Sequence, residues 1–287
     1  MKTIGKYSTL AETERGAESY SQLTLSSAGA IGQFAQRDNR VTILDWLSPI
    51  DHKSHQEETF CKHCPGTGQW ILSSERFQHW LEGQNQTLFC PGIPGAGKTI
   101  IASFLIDHLR KQFAHDDVGI AYVYGRPYDY TYNMHHIFRS LLKQLAVCRP
   151  SIPDAVQSLY QDQKDRGDGP STVKVRNALN SVVGLFSRVL IVIDAFDELP
   201  LSDKLLEHIL SEVKLWQSRY NVSLLVTSRP IPSITQYFHD TPTVDIRADR
   251  EDIKTYVGWR LEGFPSRVKP LLQERIIRAI TSAAGEM

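Results

Sequence analysis

The chain has 287 residues, of which 41% are hydrophobic and 22% charged, so wholesale disorder is excluded. Its 32 basic and 32 acidic residues give no formal net charge, whereas a protein that neutralises many nucleic-acid phosphates usually carries a basic excess. The most notable apolar run, Val189–Ile193, is far shorter than the ~20 residues needed to cross a bilayer. The opening residues lack the apolar stretch of a secretory signal. We therefore expect a cytoplasmic protein with no nucleic-acid partner and no membrane span.

The first third of the chain predicts an extension followed by a helical lead-in. Residues 1–40 are rich in Ser, Ala, Gly, Thr and Gln, and we interpret them as a mobile extension. Residues 41–85 form the lead-in. Its first helix has four apolar residues within 43–47 on one face, and a polar loop follows over 51–68. A short helix capped by Ser73 or Ser74 then directs three apolar residues inward, namely Phe77, Trp80 and Leu81.

Four candidate zinc ligands fall in the predicted polar loop. His52, His55, Cys61 and Cys64 read H-x2-H-x5-C-x2-C, and four nitrogen or sulfur donors are what a tetrahedral zinc site needs. Small zinc modules usually separate their two ligand pairs by a longer finger. The spacing therefore favours a surface loop over a metal site.

Residues 86–247 alternate between strand and helix patterns, which is typical of a parallel sheet flanked by helices in an α/β fold. Residues 248–287 are helical in pattern. The predicted strands are Thr87–Cys90, Val118–Tyr124, Val189–Asp194, Ser223–Thr227 and Thr243–Ile246. The predicted helices between them are Thr99–Phe113, Met134–Val147, Ser171–Phe186 and Asp203–Ser218.

A phosphate-binding motif follows the first predicted strand and opens the first helix of this alternation. Gly92–Thr99 reads GIPGAGKT, which satisfies G-x4-G-K-[ST]. Glycines let successive backbone N–H groups turn toward one anion, and the helix N-terminus adds its positive dipole end. Lys98 would bridge the β- and γ-phosphates of a nucleotide, and the Thr99 hydroxyl would hold Mg²⁺. The expected nucleotide-binding residues are Gly92, Gly95, Ala96, Gly97, Lys98, Thr99 and Ile100.

A second motif, VLIVIDAFDE, combines a buried strand with carboxylates at its end. Asp194 ends the strand and would hold Mg²⁺ beside Thr99, directly or through water. Asp197 and Glu198 follow, and one of them could orient or deprotonate an attacking water. The sequence leaves open which of the two acts, and whether either instead caps the next helix.

A third motif, LLVTSRP, places Arg229 just after another apolar strand. The carboxyl ends of parallel strands meet at one edge of a sheet, so this arginine is expected at the phosphate rim. There it would make charge-assisted contacts to a γ-phosphate.

The three motifs, in this order and spacing, resemble the NACHT group of signal-transducing (STAND) P-loop NTPases. The small residue Ala195 and the paired acids after Asp194 are similar to the NACHT form of the acidic motif. Upstream, ILDWLSPID and GTGQWIL resemble the lead-in of fungal NACHT–ankyrin proteins, which is grouped with a nephrocystin-3-like N-terminal domain.

The resemblance implies a P-loop sheet of strand order 5-1-4-3-2 and an NLR-like switch using ATP, ADP and Mg²⁺. In such a switch an ADP-bound resting state exchanges to ATP, the protein self-associates through its nucleotide domain, and slow hydrolysis resets it. The effector partner is not implied. In the family, a helical lid domain follows the nucleotide domain, and the resemblance implies that residues 248–287 are its incomplete start. A winged helix and a repeat array come next in the family, whereas this sequence ends inside the helical domain and has no repeat pattern. We therefore expect a truncated or partial form of such a protein.

Alternatives remain open on the sequence alone. The chain could be a weak ATPase, a nucleotide-binding interaction module without significant hydrolysis, or a truncated fragment without function. A phosphotransferase acting on a small metabolite is disfavoured, because no arginine-rich lid is evident.

Overall fold

The computed structural model describes residues 37–125, 133–167, 169–199, 202–262 and 270–285. The chain divides into two units, residues 1–46 and 47–287. The predicted mobile extension therefore lies almost wholly outside the described residues. The described part of the first unit belongs to helix α1 (37–47), and this helix ends where the sequence predicts, just before Ser48-Pro49.

A four-stranded parallel sheet forms the centre of the second unit, in the order β1-β4-β3-β2. Its strands are near-continuous apolar runs, as expected for a sheet with both faces covered, and all seven residues of β4 are buried. The structure thus confirms the predicted α/β fold with a parallel P-loop sheet between helices. The strands are β1 (Thr87–Pro91), β2 (Val118–Tyr124), β3 (Arg188–Asp194) and β4 (Val222–Ser228).

The register of the sheet brings the carboxyl ends of three strands to one edge. Pro91, at the end of β1, pairs with Ser228 of β4. Ile193 of β3 pairs with Val226 of β4, so Asp194 reaches the level of Thr227. The residues that follow β1, β3 and β4 therefore meet at the same edge, and these are the three predicted motifs.

The fifth predicted strand is not formed as a strand in the part of the chain that the structure describes. Thr243 makes a single parallel bridge to Phe89 of β1. Val244 N–H donates to the Phe89 carbonyl at 2.9 Å, and Ile246 N–H donates to the Pro91 carbonyl at 2.7 Å. The segment thus lies beside β1, where the order 5-1-4-3-2 puts the fifth strand, but its pairing is too short to count as one.

The helices cover the sheet, and most follow the predicted pattern within a few residues. Their bounds are α2 (His52–Phe60), α3 (Gln69–Leu72), α4 (Glu75–Glu82), α5 (Lys98–Gln112), α6 (Met134–Val147), α7 (Asp154–Arg166), α8 (Thr172–Val183), α9 (Asp203–Arg219), α10 (Pro232–Thr235), α11 (Arg250–Glu262) and α12 (Pro270–Gly285). Helix α4 carries the three predicted inward residues, all of them buried. Among the described helices, none is both long and apolar enough to cross a membrane.

The predicted polar loop over 51–68 is wrong, because most of its first half is helix α2. Asp51 caps this helix by accepting a hydrogen bond from the Ser54 backbone N–H at 3.0 Å. The buried face of α2 is polar, so no apolar periodicity marks it in the sequence. Gln56 donates to the Ser103 carbonyl of α5 at 2.8 Å and accepts a hydrogen bond from the Tyr124 hydroxyl of β2.

Candidate functional site

The phosphate-loop backbone between β1 and α5 depends on glycine at three positions, for two different reasons. Gly95 and Gly97 have φ of 81° and 90°, the left-handed region that other residues rarely adopt. Apart from its chain neighbours, an added Cβ there would meet no atom of the described residues within 4 Å. Gly92 is constrained by contact instead, because an added Cβ would lie 2.6 Å from the Ile246 carbonyl oxygen. The loop is therefore pressed against the segment beside β1 at its start and open at its tip.

The backbone N–H groups of the loop fall into two sets. Gly92 N–H donates to the Ser228 carbonyl at 3.0 Å, and Ala96 N–H donates to the Ile93 carbonyl at 3.2 Å, so both are engaged within the protein. The hydrogen-bond ladder of α5 begins with Ile101 N–H donating to the Gly97 carbonyl at 2.9 Å. The first-turn N–H groups therefore stand outside that ladder and can serve an anion. They belong to Lys98, Thr99 and Ile100.

The Lys98 ammonium group lies against the loop itself. Its Nζ donates to the Gly92 carbonyl at 2.9 Å and to the Ile93 carbonyl at 3.0 Å. A phosphate arriving at the first turn of α5 would compete for these donors with a full negative charge. Charge-assisted hydrogen bonds are stronger than bonds to neutral carbonyls, so the lysine could exchange its partners.

The Asp194 carboxylate is buried at the end of β3, where its side chain meets both neighbouring motifs. Asp194 is 2% exposed. Its Oδ1 accepts a hydrogen bond from the Thr227 hydroxyl at 2.6 Å, and the Thr99 hydroxyl also hydrogen-bonds to this carboxylate. Burial raises the pKa of the Asp194 carboxyl, although these two hydrogen bonds and the nearby charge of Lys98 act in the opposite direction.

Asp197 and Arg229 form an ion pair. Arg229 donates from its backbone N–H to Asp197 Oδ1 at 3.0 Å and from Nε to Oδ2 at 2.5 Å. Ser228 adds a third donor, its hydroxyl, to Oδ1 at 3.0 Å. Burial alone would raise the pKa of the Asp197 carboxyl, but the hydrogen bonds from Arg229 and Ser228 and the charge of Arg229 lower it below its usual value.

Glu198 differs from Asp197 although the two are adjacent in sequence. Its side chain is half-buried, and within the described residues it makes no hydrogen bond or ion pair. It is close enough to Asp194 for its negative charge to contribute to the raised pKa of that carboxyl. Of the two acids after β3, Glu198 is therefore the one with carboxylate oxygens not already used by protein donors.

Two residues of the site were not predicted as functional, and each has a visible signal in hindsight. Thr227 is a polar residue at the end of an apolar strand, and its hydroxyl accepts from Ala195 N–H at 3.0 Å while donating to Asp194. Gly125 follows β2, and an added Cβ there would lie 2.1 Å from the Ala195 carbonyl oxygen. Both fix the turn after β3, where Ala195 adopts a left-handed conformation with φ of 51°.

A cavity of about 560 Å³ adjoins the phosphate loop. It is lined by the loop residues 91–96, by Pro230 after β4, and by residues 245–248 from the segment beside β1. Its volume lies within the range of small-molecule sites, ~300–1,000 Å³. A nucleotide whose phosphates sit at the loop would have room there for its remaining parts.

The candidate zinc ligands do not assemble into a site. Among the described residues, no group of three or more His, Cys, Asp and Glu side chains could hold a metal ion. Cys64 is buried and Cys61 is exposed, while His52 belongs to the buried face of α2. A Mg²⁺ site of the P-loop kind is different in composition, because it combines one carboxylate and one hydroxyl with phosphate and water oxygens.

The fold and the loop geometry together define the class of the protein as a P-loop NTPase. A family model described as Nephrocystin 3, N-terminal matches residues 66–229, more than half of the chain. The chain belongs to this family. A comparison with curated proteins gives no match.

A comparison with solved structures gives matches at low sequence identity. The ORC1 protein of Aeropyrum pernix in complex with DNA has a TM-score of 0.48 and 15% identity, over 85% of this chain and 59% of that one. The Walker-type ATPase of Pyrococcus abyssi has a TM-score of 0.46 and 12% identity, over 71% and 60%. The AMPPCP-bound DnaA of Aquifex aeolicus has a TM-score of 0.42 and 12% identity, over 75% and 57%. This chain therefore spans about three fifths or less of each.

Proposed function

We propose that this chain is a nucleotide-binding switch domain of the NACHT kind, which binds ATP and ADP with Mg²⁺ and hydrolyses ATP slowly. One observation carries the proposal. The buried Asp194 carboxylate at the end of β3 hydrogen-bonds to the Thr99 hydroxyl in the first turn of the loop helix. A Gly-rich anion loop and a buried acid serve no evident structural purpose together, but they are what a magnesium nucleotide needs.

The nucleotide phosphates would be held by the loop and by Lys98. The first-turn N–H groups of α5 point along the helix axis toward the loop tip at Gly95 and Gly97, where an added Cβ would meet no atom of the described residues within 4 Å beyond its chain neighbours. Lys98 would leave the loop carbonyls to bridge the β- and γ-phosphates. Gly92 and Ala96, whose N–H groups bond within the protein, would shape the loop rather than bind the phosphates directly.

Mg²⁺ would be held by Thr99 and Asp194, because both offer the oxygen donors that this ion prefers. When bound, it neutralises charge that develops on the phosphates during transfer. The hydrogen bond from Thr227 fixes the Asp194 carboxylate in place.

Glu198 would orient or deprotonate the attacking water. This assignment rests on its half-buried carboxylate, which within the described residues has no protein partner. Arg229 would contact the γ-phosphate from the end of β4. The alternative is an interaction module that holds nucleotide with no significant hydrolysis, and ATP turnover in the wild type and in Glu198→Gln separates the two.

The NLR-like context is also part of the proposal. The order of the three motifs and the match to the Nephrocystin 3, N-terminal family support it. We propose a lead-in over 41–85, a nucleotide core over 86–247, and the start of a helical lid over 248–287. Nucleotide-dependent self-association through the core, in the cytoplasm, would then transmit the signal.

The test is chromatography of the nucleotide released when the freshly purified chain is denatured, with titration of Mg-ATP and Mg-ADP into the emptied protein. Lys98→Ala removes the proposed phosphate cation. Lys111→Ala is the matched control, because Lys111 is on the same helix but is 73% exposed and pairs with Asp107 on the surface.

Near-stoichiometric nucleotide in the wild type and in Lys111→Ala, with little in Lys98→Ala, is the expected result. A wild type that carries no nucleotide and takes up neither Mg-ATP nor Mg-ADP would overturn the proposal. Equal affinity in the wild type and in Lys98→Ala would place binding elsewhere on the molecule.

A further inference from the structure

The Asp197 carboxylate is enclosed by donors from the end of β4. Its side chain is only 2% exposed, whereas the Arg229 side chain is 42% exposed. Oδ1 accepts from both the Ser228 hydroxyl and the Arg229 backbone N–H, and Oδ2 accepts from Arg229 Nε. A buried acid of the β3 motif therefore holds an arginine of the β4 motif at both its backbone and its side chain.

This arrangement is unsuited to a general base. A base must accept a proton from a water in contact with its oxygens, whereas both Asp197 oxygens already accept hydrogen bonds inside the protein. The lowered pKa of the Asp197 carboxyl agrees with this, because the same donors stabilise its charged form.

The arrangement is well suited to orienting a guanidinium group. The group is planar, so a bond at Nε fixes the direction in which the plane extends. The backbone bond at the same residue fixes where the side chain starts. A long side chain that is 42% exposed would otherwise lose rotamer entropy each time it contacted a phosphate.

We propose that Asp197 is a positioning residue through which the site distinguishes ATP from ADP. Asp197 holds Arg229 ready for the γ-phosphate, the one group that ADP lacks. The inference rests on the proposed nucleotide site and adds the source of its γ-phosphate selectivity.

The experiment is a double-mutant cycle on nucleotide affinity in the whole chain, using Mg²⁺ with a non-hydrolysable ATP analogue and with ADP. Asp197→Asn and Arg229→Ala should each lower the affinity for the ATP analogue by about 10- to 100-fold, the size expected for the loss of a charge-assisted hydrogen bond. Affinity for ADP should stay within about 3-fold of wild type, because the contacts to the α- and β-phosphates are unchanged. The double variant should bind the analogue no worse than Arg229→Ala, because the two residues act as one unit.

Two further variants keep the test interpretable. Ser228→Ala removes one neutral donor from Asp197 Oδ1 and should shift selectivity in the same direction by a smaller factor, even if Asp197→Asn folds poorly. Asp117→Asn is the matched control, because Asp117 pairs with Arg149 at 2.6 Å just before β2, at the opposite edge of the sheet. It should leave the ATP-to-ADP affinity ratio unchanged.

Other outcomes overturn the inference. Parallel losses for ADP and the ATP analogue would mean that Asp197 only supports the local structure. Unchanged analogue affinity with lost turnover would make Asp197 a catalytic acid or base in its own right, and additive losses in the double variant would separate it from Arg229. In these cases the proposed function stands if Lys98→Ala still abolishes binding. It fails separately if the wild type binds neither nucleotide.

Discussion

The Thr227 hydroxyl donates a hydrogen bond to Asp194 Oδ1 at 2.6 Å and accepts one from the Ala195 backbone N–H at 3.0 Å. Thr227 is fully buried in β4, directly after Val226, which is the last β4 residue that pairs with β3. One hydroxyl therefore fixes both the proposed metal-binding carboxylate and the left-handed residue that follows it. This explains how the chain can turn sharply after β3 without moving Asp194.

Replacing Thr227 with Val should weaken both the fold and the metal site. Val has nearly the same shape but leaves the Ala195 N–H without its acceptor and Asp194 without one of its two donors, which we expect to cost about 1–3 kcal/mol of unfolding free energy. The Mg²⁺ dependence of nucleotide affinity should also weaken. Urea unfolding and nucleotide titration with and without Mg²⁺ measure the two effects.

Thr227→Ser is the control for this change because it retains the hydroxyl. It should preserve the Mg²⁺ dependence and lose only the packing of one methyl group. If Thr227→Val retained both wild-type stability and wild-type Mg²⁺ dependence, the hydroxyl would have neither role.

Gly95→Ala should impair nucleotide binding more than it impairs folding. The left-handed conformation at φ of 81° costs a non-glycine residue about 1–2 kcal/mol. The added methyl group would also stand at the open tip of the loop, where the phosphates are expected. Gly167→Ala is a matched control. Gly167 has φ of 77°, and an added Cβ would also meet no atom of the described residues within 4 Å beyond its chain neighbours, but this glycine ends helix α7. Thermal unfolding should show similar losses of stability in both variants, whereas only Gly95→Ala should lose nucleotide affinity. A similar loss of nucleotide affinity in both would argue against the loop as the binding site.

The strands of the sheet and most of the helices that cover it could be predicted from the sequence, because the residues that these elements bury are apolar. The predicted and observed bounds of β2 are identical, Val118–Tyr124. The predicted strand VLIVID differs from β3 only in lacking Arg188 at its start. The order of strands came from the resemblance to a family, since hydrophobic patterns carry no information about which strands are neighbours. The prediction of a fifth strand is wrong, because the segment Thr243–Ile246 forms only one isolated bridge and a few backbone hydrogen bonds to β1.

The sequence did not predict helix α2, because the face that this helix buries is polar and shows no apolar periodicity. Its burial depends on partners that lie far away in sequence, such as the Ser103 carbonyl, 47 residues from Gln56. The pairing of Asp197 with Arg229 was missed for the same reason, since it requires that the ends of β3 and β4 meet. The motifs identify the individual site residues, but the separate roles of those residues depend on contacts between segments that are far apart in sequence.

Gln56→Leu should destabilise the nucleotide core although Gln56 belongs to the lead-in. The replacement retains volume but removes the bond to the Ser103 carbonyl of α5 and leaves the Tyr124 hydroxyl of β2 without its acceptor. We expect a loss of about 1–3 kcal/mol in the free energy of unfolding. Urea unfolding measures it, with Glu57→Leu as the control, because Glu57 is adjacent but 62% exposed. Equal stability of the two variants would mean that α2 does not depend on this buried contact.

Glu198→Gln should slow ATP turnover while nucleotide affinity stays near that of the wild type. Gln has the same size but cannot accept a proton, and general acid–base catalysis typically contributes about 10²- to 10⁴-fold to a rate. Phosphate release under single-turnover conditions measures the effect, alongside ADP and ATP affinities. Glu207→Gln is the control, since this exposed acid on α9 is outside the site. Unchanged turnover in Glu198→Gln would remove this residue from the chemistry, and a wild type with no turnover at all would favour a binding module.

Asp197→Asn should reduce stability at neutral pH by an amount that disappears in acid. The folded-state pKa of this carboxyl is below its ordinary value of 3.8, so the unfolded chain binds the proton more tightly. The ionised carboxylate therefore stabilises the folded state at pH values above 3.8, and this contribution is lost as the pH falls through the lower folded-state pKa.

We expect a difference of about 1–2 kcal/mol between wild type and Asp197→Asn, at the lower end for a charged hydrogen bond because solvent reaches the Arg229 side of the pair. Urea unfolding at pH 7, 5 and 3 measures it, at a temperature where both proteins remain folded. The difference should be equal at pH 7 and 5 and smaller at pH 3. A difference that grows in acid would mean that the Asp197 carboxyl is protonated more readily in the folded protein, and that Arg229 does not hold it in the charged form.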